Sequence, residues 1–268
     1  MIHLKSISVH SWDASTKNNF PFNLAVVQSL RTLDFTSPVT FFVGENGSGK
    51  STLLEAIACA AKSITVGRET AHADSSLTAI TELSKYIRLS WQKRTHKGFF
   101  LRAEDFFGYA RRLTEMRTEL ERNLKDVEKE YQDRSKMAMD YARMPYLSQI
   151  RGLQERYGDG LDNYSHGESF LTLFQARFIP GGLYLLDEPE APLSPLRQFA
   201  LISLLKSMIQ QDAQFIIATH SPILMAFPEA AILNFDKLPI RPIKYGELEH
   251  VKLVKEFLNN PDAFLRQL

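Results

Sequence analysis

The chain has 268 residues, 44% of them hydrophobic, enough to bury a substantial core in one domain or one domain with an insertion. A net charge of +1 argues against a globally basic nucleic-acid-binding surface, and a single cysteine, Cys59, excludes a disulfide framework or a cysteine-based zinc site. No apolar run approaches the roughly 18 residues needed to span a bilayer, and the N-terminus lacks a signal peptide's apolar core, so a cytoplasmic protein without a membrane partner is expected.

Residues 1–10 alternate, with Ile2, Leu4, Ile7 and Val9 apolar, and predict a strand. A polar loop follows, and Phe22 to Val27 predict a second extended segment. These two segments suggest a small antiparallel sheet ahead of the stretch that dominates the sequence. That stretch begins at Val39 with an apolar, β-branched and aromatic run, passes through Gly44-Glu-Asn-Gly-Ser-Gly-Lys-Ser51, and resumes apolar residues at helical spacing from Leu53. Strand, glycine loop and helix in this order make a P-loop. Gly44, Gly47 and Gly49 allow the backbone N–H groups of Glu45, Asn46 and Ser48 to approach phosphate oxygens, and the helix behind adds the positive end of its dipole. Lys50 is expected to reach the β- and γ-phosphates of ATP, Ser51 to hold Mg²⁺ through its hydroxyl, and Thr52 to serve as a phosphate-side donor.

Cys59 lies on the helix after this loop and reads as a small buried hydrophobe. Residues 63–81 show no strong period, and 86–91 alternate as a strand. A basic cluster of Lys85, Arg88, Lys93, Arg94, His96 and Lys97 reads either as a solvated hairpin tip or as a phosphate-contacting patch. From Glu104 to Tyr131 apolar residues recur at steps of three and four, predicting an amphipathic helix about 40 Å long. A second helix containing Pro145 runs to roughly Arg156 before Gly158-Asp-Gly160 stops it.

Ser165 and Glu168 stand in capping-box spacing ahead of an apolar run, so a helix is expected to start there, with Gly167 placed to let its N-terminus face a phosphate. Residues 183–188 form an apolar strand ending in two acids. In a parallel sheet the ligand lies at the carboxyl ends of the strands, which places Asp187 to take Mg²⁺ and Glu188 to orient an attacking water. Residues 215–222 form another buried strand ending in His220, a candidate for a γ-phosphate contact. Residues 231–235, 239–242 and a helix carrying Leu248, Val251, Leu253, Val254, Phe257 and Leu258 are expected to close the sheet edge and cover the core, with His250 on that helix's surface.

A P-loop, a Ser-x-Gly-Glu helix start, a strand ending Asp-Glu-Pro and a strand ending Thr-His-Ser-Pro, in this order, resemble the ATP-binding-cassette (ABC) ATPases. Within them the whole chain resembles the soluble AAA-family branch related to structural-maintenance-of-chromosomes (SMC), RecF-like and overcoming-lysogenization-defect ATPases. The resemblance implies an α/β P-loop NTPase fold: an ABC-ATPase head with a mostly parallel central sheet, an N-terminal antiparallel β subdomain and a helical insertion. One domain is then expected over 1–268, with an N-terminal lobe at 1–101, the insertion at 102–164, and the remaining motifs and a C-terminal cap at 165–268. It further implies Walker A at 44–51, a signature motif at Ser165, His166, Gly167 and Glu168, Walker B at 183–187 with catalytic Glu188, and a switch histidine at His220. In that family two subunits pair head to tail around ATP, Ser165 and Gly167 of one completing the γ-phosphate site of the other, so ATP binding would close a homodimer and hydrolysis release it.

Three departures mark this chain. His166 stands where the signature usually has glycine, Pro192 and Pro195 stiffen the loop after Walker B, and no glutamine marks the expected glutamine loop, for which Arg102 or Glu104 are the candidates. The implied function is ATP hydrolysis by a dimer acting on DNA or a DNA-processing complex in repair or defence. The alternative is an ATP-dependent switch that holds an effector such as a nuclease or toxin of a phage-defence system. A transporter ATPase subunit is the third reading.

Overall fold

The structure, a computed structural model, describes residues 1–13, 16–65, 78–157 and 166–266. Its centre is a six-stranded sheet in the order β5-β6-β7-β3-β8-β9, built from β3 (Val39–Val43), β5 (Gly98–Arg102), β6 (Leu183–Asp187), β7 (Gln214–Ala218), β8 (Ala231–Asn234) and β9 (Arg241–Pro242). The first five are parallel and only the edge strand β9 runs antiparallel. Strands β3 and β7 are buried along their whole length, and apart from Thr40 and Gln214 they are apolar, as a sheet covered on both faces requires.

Successive side chains alternate between two cores. Phe41, Phe99, Tyr184, Phe215 and Ile217 face one side, where α4 (Ala103–Glu130), α6 (His166–Arg177) and α7 (Pro195–Gln210) cover them with Phe106, Phe170, Phe174, Leu201 and Leu205. Phe42, Phe100, Leu185 and Ile216 face the other, beneath α2 (Lys50–Ala61) and the N-terminal sheet. That sheet has the order β2-β1-β4, from β1 (Leu4–Val9), β2 (Thr32–Asp34) and β4 (Ile87–Trp91), all antiparallel.

A buried side chain ties the two sheets together. Gln214, at the start of β7, accepts from the backbone N–H groups of His3 (2.7 Å) and Leu4 (2.8 Å) and donates to the Leu4 carbonyl (3.0 Å), so it stands in for a neighbouring strand. The buried His3 ring is held between the carbonyls of Lys93 and Asp212.

Several expectations need correction. Residues 22–27 are not a strand: α1 (Ala25–Ser29) occupies part of them, and burial of Phe22, Val26, Val27 and Leu30 follows helical spacing. The second strand of the antiparallel sheet is instead the short β2. The basic cluster is not a hairpin tip, because β4 and β5 belong to different sheets and residues 92–97 carry the chain from one to the other.

The helix α3 (Thr78–Ser84) falls partly within the stretch whose period was indistinct, and α7 has no counterpart in the sequence reading. The C-terminal helix α9 (Glu249–Asn259) buries Val251, next to the buried Leu248, but leaves Leu253, Val254, Phe257 and Leu258 exposed, so it covers the core with its first turn alone. It is followed by the short α10 (Pro261–Leu265).

The expected helical insertion is present as an antiparallel pair, α4 and α5 (Lys136–Tyr157), with Pro145 inside α5. The base of α4 is anchored by Phe106 and Tyr109 in the core, and Arg177 of α6 donates to the Tyr109 hydroxyl (2.6 Å) while its guanidinium lies 5.1 Å from that ring's centre.

Candidate active site

The P-loop forms where the sequence places it, between β3 and α2. Gly49 caps α2 in the left-handed conformation (φ +91°), and a Cβ there would meet Val26 Cγ1 at 2.5 Å, so both backbone and space demand glycine. Lys50, only 5% exposed, turns back to donate to the carbonyls of Gly44 (2.8 Å) and Glu45 (2.9 Å). Burial pulls its pKa below the ordinary lysine value, against the opposing pull of Glu188, Asp236, Asp187 and Glu190.

Parallel pairing of β6 with β7, which itself pairs with β3, brings the second half of the chain to the same sheet edge. Ser51 Oγ donates to Asp187 Oδ1 at 3.0 Å across 136 residues of sequence. Burial raises the Asp187 carboxyl to about 6, the Ser51 hydrogen bond working against the rise and Glu188 adding to it.

Glu188 sits in the left-handed region (φ +48°), with its N–H donating to the Ala218 carbonyl at 2.9 Å. This unusual backbone turns its side chain toward His220, whose Nε2 lies 3.8 Å from Glu188 Oε1. His220 is exposed at the mouth of the site and Glu188 partly so, and His220 is shifted below the ordinary histidine value by its partial burial first and by Lys50 second, so its neutral form dominates at neutral pH.

Ser51 and Asp187 offer two oxygen ligands 3.0 Å apart beside the phosphate-binding loop, the hard donors that Mg²⁺ prefers while phosphate and water fill its other positions. The donor set therefore fits the metal that the sequence anticipates. Among the described residues, no group of three or more His, Cys, Asp or Glu side chains is arranged to hold a metal ion by itself.

Arg102, a glutamine-loop candidate, ends β5 directly beside Asp187 in the sheet register. Its guanidinium grips Asp105 through two hydrogen bonds (2.7 and 3.2 Å) and reaches Glu55 of α2 at 3.5 Å. This buried ion cluster connects α2 to the base of α4. The side chain of Glu104 lies outside the described residues, as do Ser165 and the side chains of His166, Gly167 and Glu168, so the capping-box reading is likewise outside them. The backbone of residues 166–168 forms the first turn of α6.

Three residues that sequence reasoning did not assign join the site. Asp236, just after β8, accepts from the Glu45 N–H at 2.7 Å and so pins the outer side of the P-loop. Glu190, inside the loop after Walker B, accepts from the Thr219 hydroxyl (2.6 Å) and from the backbone N–H groups of His220 (2.7 Å) and Ser221 (3.1 Å). Burial raises its pKa above the ordinary glutamate value.

His250 is partly buried: with Gly47, Ser48, His220 and Asp236 it lines a cavity of about 640 Å³ at the P-loop, and its Nε2 is buried without a partner among the described residues. Asp236 and His250 carried no motif, whereas Glu190 lay within Glu188-Pro-Glu190, where its acidity was the available signal.

No curated protein sequence matches the chain. Among solved structures the chain is similar to the Smc head domain of Pyrococcus furiosus, crystallised with an extended coiled coil and bound to the C-terminal domain of ScpA (12% identity over 96% of this chain and 100% of that one, TM-score 0.48). It is similar also to CbiO1 from Clostridium perfringens, part of the ABC transporter complex cbiONQ (14%, 100% and 100%, TM-score 0.46), and to the dimeric bacterial ABC transporter cassette MJ0796 (19%, 91% and 99%, TM-score 0.44). The family model described as AAA domain, AAA_23, matches residues 20–162, more than half of the 268 residues and including the whole P-loop. The chain belongs to this AAA domain family.

Proposed function

We propose that the protein is an ABC-type ATPase that binds Mg²⁺·ATP, closes as a head-to-tail homodimer, and hydrolyses the nucleotide to drive its release. The observation that carries this reading is the 3.0 Å contact between Ser51 and Asp187 at the mouth of the P-loop. It joins the phosphate-binding half of the site to the acidic half. Lys50 and the amides of Asn46, Gly47, Gly49, Ser51 and Thr52 bind the phosphates and neutralise charge that develops on the γ-phosphoryl group, while the Glu45 and Ser48 amides, held by Asp236 and the Glu45 carbonyl, shape the loop. Ser51 and Asp187 hold Mg²⁺, which supplies Lewis-acid stabilisation of the phosphate oxygens. Glu188 orients the attacking water and takes its proton, and the neutral His220 beside it donates to the γ-phosphate. In the dimer, Ser165, His166, Gly167 and Glu168 of the partner subunit close the cage.

The dimer's target is DNA or a DNA-processing complex in repair or defence. Exposed Arg88, Lys93, Arg94, His96 and Lys97 support this reading, because they make a basic run on an otherwise near-neutral chain. A second reading, an ATP-dependent switch holding an effector protein of a phage-defence system, is favoured by α5. There Met137, Tyr141 and Met144 form an exposed apolar stripe at helical spacing on the insertion. A transporter subunit is the weakest reading, because the coupling helices of transporters dock beside a glutamine loop and no glutamine marks that loop here.

Glu188→Gln tests both levels. It should leave ATP binding intact and slow turnover by at least a hundredfold; unchanged turnover removes Glu188 from this role. The same protein, mixed with duplex DNA at several salt concentrations, should bind only with ATP and weaken steeply with salt. ATP-independent or absent DNA binding shifts the search to a protein effector.

A further inference from the structure

Glu188 and His220, the two groups assigned above to the attacking water and the γ-phosphate, lie on two chain segments that the Glu190 carboxylate joins. Glu188 belongs to the loop after β6 and His220 to the loop after β7. Within the first loop, Ala191 N–H donates to the Glu188 carbonyl (3.0 Å) and Leu193 N–H to the Glu190 carbonyl (2.8 Å), which winds it into a tight turn. From that turn Glu190 Oε1 takes three donors, all from consecutive residues of the second loop: the Thr219 hydroxyl and the N–H groups of His220 and Ser221.

The grip is reinforced from behind. Ser221 N–H is shared with Thr219 Oγ1 (3.0 Å), and the Ser221 hydroxyl donates to Gln198 Oε1 of α7 while accepting from Ile223 N–H and Leu224 N–H at the start of α8 (Pro222–Met225). Gln198 Nε2 in turn reaches the Leu193 carbonyl at 3.3 Å. Thr219 and Ser221 are buried on either side of the exposed His220, so the histidine is presented from a backbone with little freedom of its own. The other Glu190 oxygen, Oε2, is buried with no partner among the described residues, so this carboxylate is not there to satisfy a second set of donors.

We infer that Glu190 is a positioning residue of the ATPase site. It fixes the His220 backbone against the turn that carries Glu188, and thereby sets the 3.8 Å approach of their side chains. This inference rests on the ATP-hydrolysis reading above. It adds that the spacing of water-orienting acid and phosphate-contacting histidine is governed by a side chain that touches neither nucleotide nor metal. The function Oε1 performs is that of an acceptor for three N–H and O–H donors, which a glutamine oxygen also provides. Alanine removes the acceptor altogether, which frees the His220 N–H and leaves the Ser221 N–H with Thr219 Oγ1 alone.

The test measures turnover and Mg²⁺·ATP affinity for the wild-type protein and for Glu190→Ala, Glu190→Gln, His220→Ala and the double variant Glu190→Ala/His220→Ala. Glu190→Ala should lower kcat at least tenfold with KM changed less than threefold, and Glu190→Gln should restore kcat to within about threefold of wild type. In the His220→Ala background, Glu190→Ala should add less than twofold, because it acts through the residue already removed.

Unchanged kcat in Glu190→Ala, failure of Glu190→Gln to rescue, or full additivity with His220→Ala each overturn the inference. An independent readout needs no turnover. The histidine Cε1–H NMR signal that disappears in His220→Ala should shift or broaden in Glu190→Ala and stay in place in Glu190→Gln; an unmoved signal in Glu190→Ala also overturns it. A wild-type protein that hydrolyses no ATP refutes the proposed activity, whereas an active wild type with an equally active Glu190→Ala variant refutes only the role of Glu190.

Discussion

Asp187→Asn separates the fold from the chemistry, because the nucleotide-free protein should become more stable as its activity disappears. Burial pushes the wild-type carboxyl up to about 6 in the fold, against 3.8 for a free aspartate. A folded pKa above the unfolded one means that the folded state holds the proton more tightly. The stability this provides is complete below the unfolded value and is lost as pH rises through the folded value. The window runs from about pH 4 to about pH 6. The gap corresponds to about 3 kcal/mol at neutral pH and above, a ceiling for the cost of keeping Asp187 ionised at this site.

Asparagine keeps the oxygen that accepts from Ser51 and removes the charge, so it escapes most of this cost. For a chain of this size the difference corresponds to a melting temperature higher by roughly 6–12 °C at pH 7.5, falling to about a third of that at pH 4.5 and vanishing only below about pH 3.5. Thermal denaturation of both proteins across this range, with chelator present to exclude divalent ions, is the assay. Mg²⁺·ATP should then stabilise the wild type and leave the variant unmoved. A difference between the two proteins that stays constant with pH, or that favours the wild type at pH 7.5, refutes the account of Asp187 as a strained carboxylate awaiting a cation.

Two further substitutions test the scaffold. Gly98, at the start of β5, has φ +113°, and a Cβ there would lie 1.8 Å from the Leu183 carbonyl oxygen, so Gly98→Ala should cost about 2–4 kcal/mol in denaturant titration by forcing β5 away from β6. Gln214→Leu strands the buried N–H groups of His3 and Leu4 and should cost about 2–5 kcal/mol, with amide hydrogen exchange accelerated first in β1.

The sequence was most transparent where one local pattern determined one element. The apolar runs of β3, β6 and β7 read as buried strands because a sheet covered on both faces imposes no alternation. The Gly-x-x-x-x-Gly-Lys-Ser spacing placed Lys50 and Ser51 because a phosphate cradle has few backbone solutions. Phe22 to Val27 is ambiguous because a short apolar segment carries too few turns to separate period 2 from period 3.6, and the seating of Val26 against Gly49 at the start of α2 is not visible in the segment itself. The run from Lys93 to Lys97 looked like a hairpin because nothing local reveals that its flanking strands join different sheets.

The parts of the site that stayed hidden are those made by register. Asp236 meets Glu45 across 191 residues, and Glu190 meets His220 across 30, through no motif spacing. What fixes both contacts is the order β6-β7-β3-β8, which puts the loops after four strands side by side. In that register Asp187 stands opposite Ala218, so the next residue of each chain turns out of the sheet together, and the Glu188 N–H closes on the Ala218 carbonyl. A one-residue slip of β7 would move Thr219 and His220 away from Glu190 and invert which side chains of β7 face each core. The apolar run 215–218 of β7 tolerates either face chemically, so hydrophobic pattern alone cannot hold that register. The polar contacts at its two ends, Gln214 with His3 and Leu4 below and Glu190 with residues 219–221 above, are therefore what select it, and the Glu190 contact does so at the place where hydrolysis needs precision.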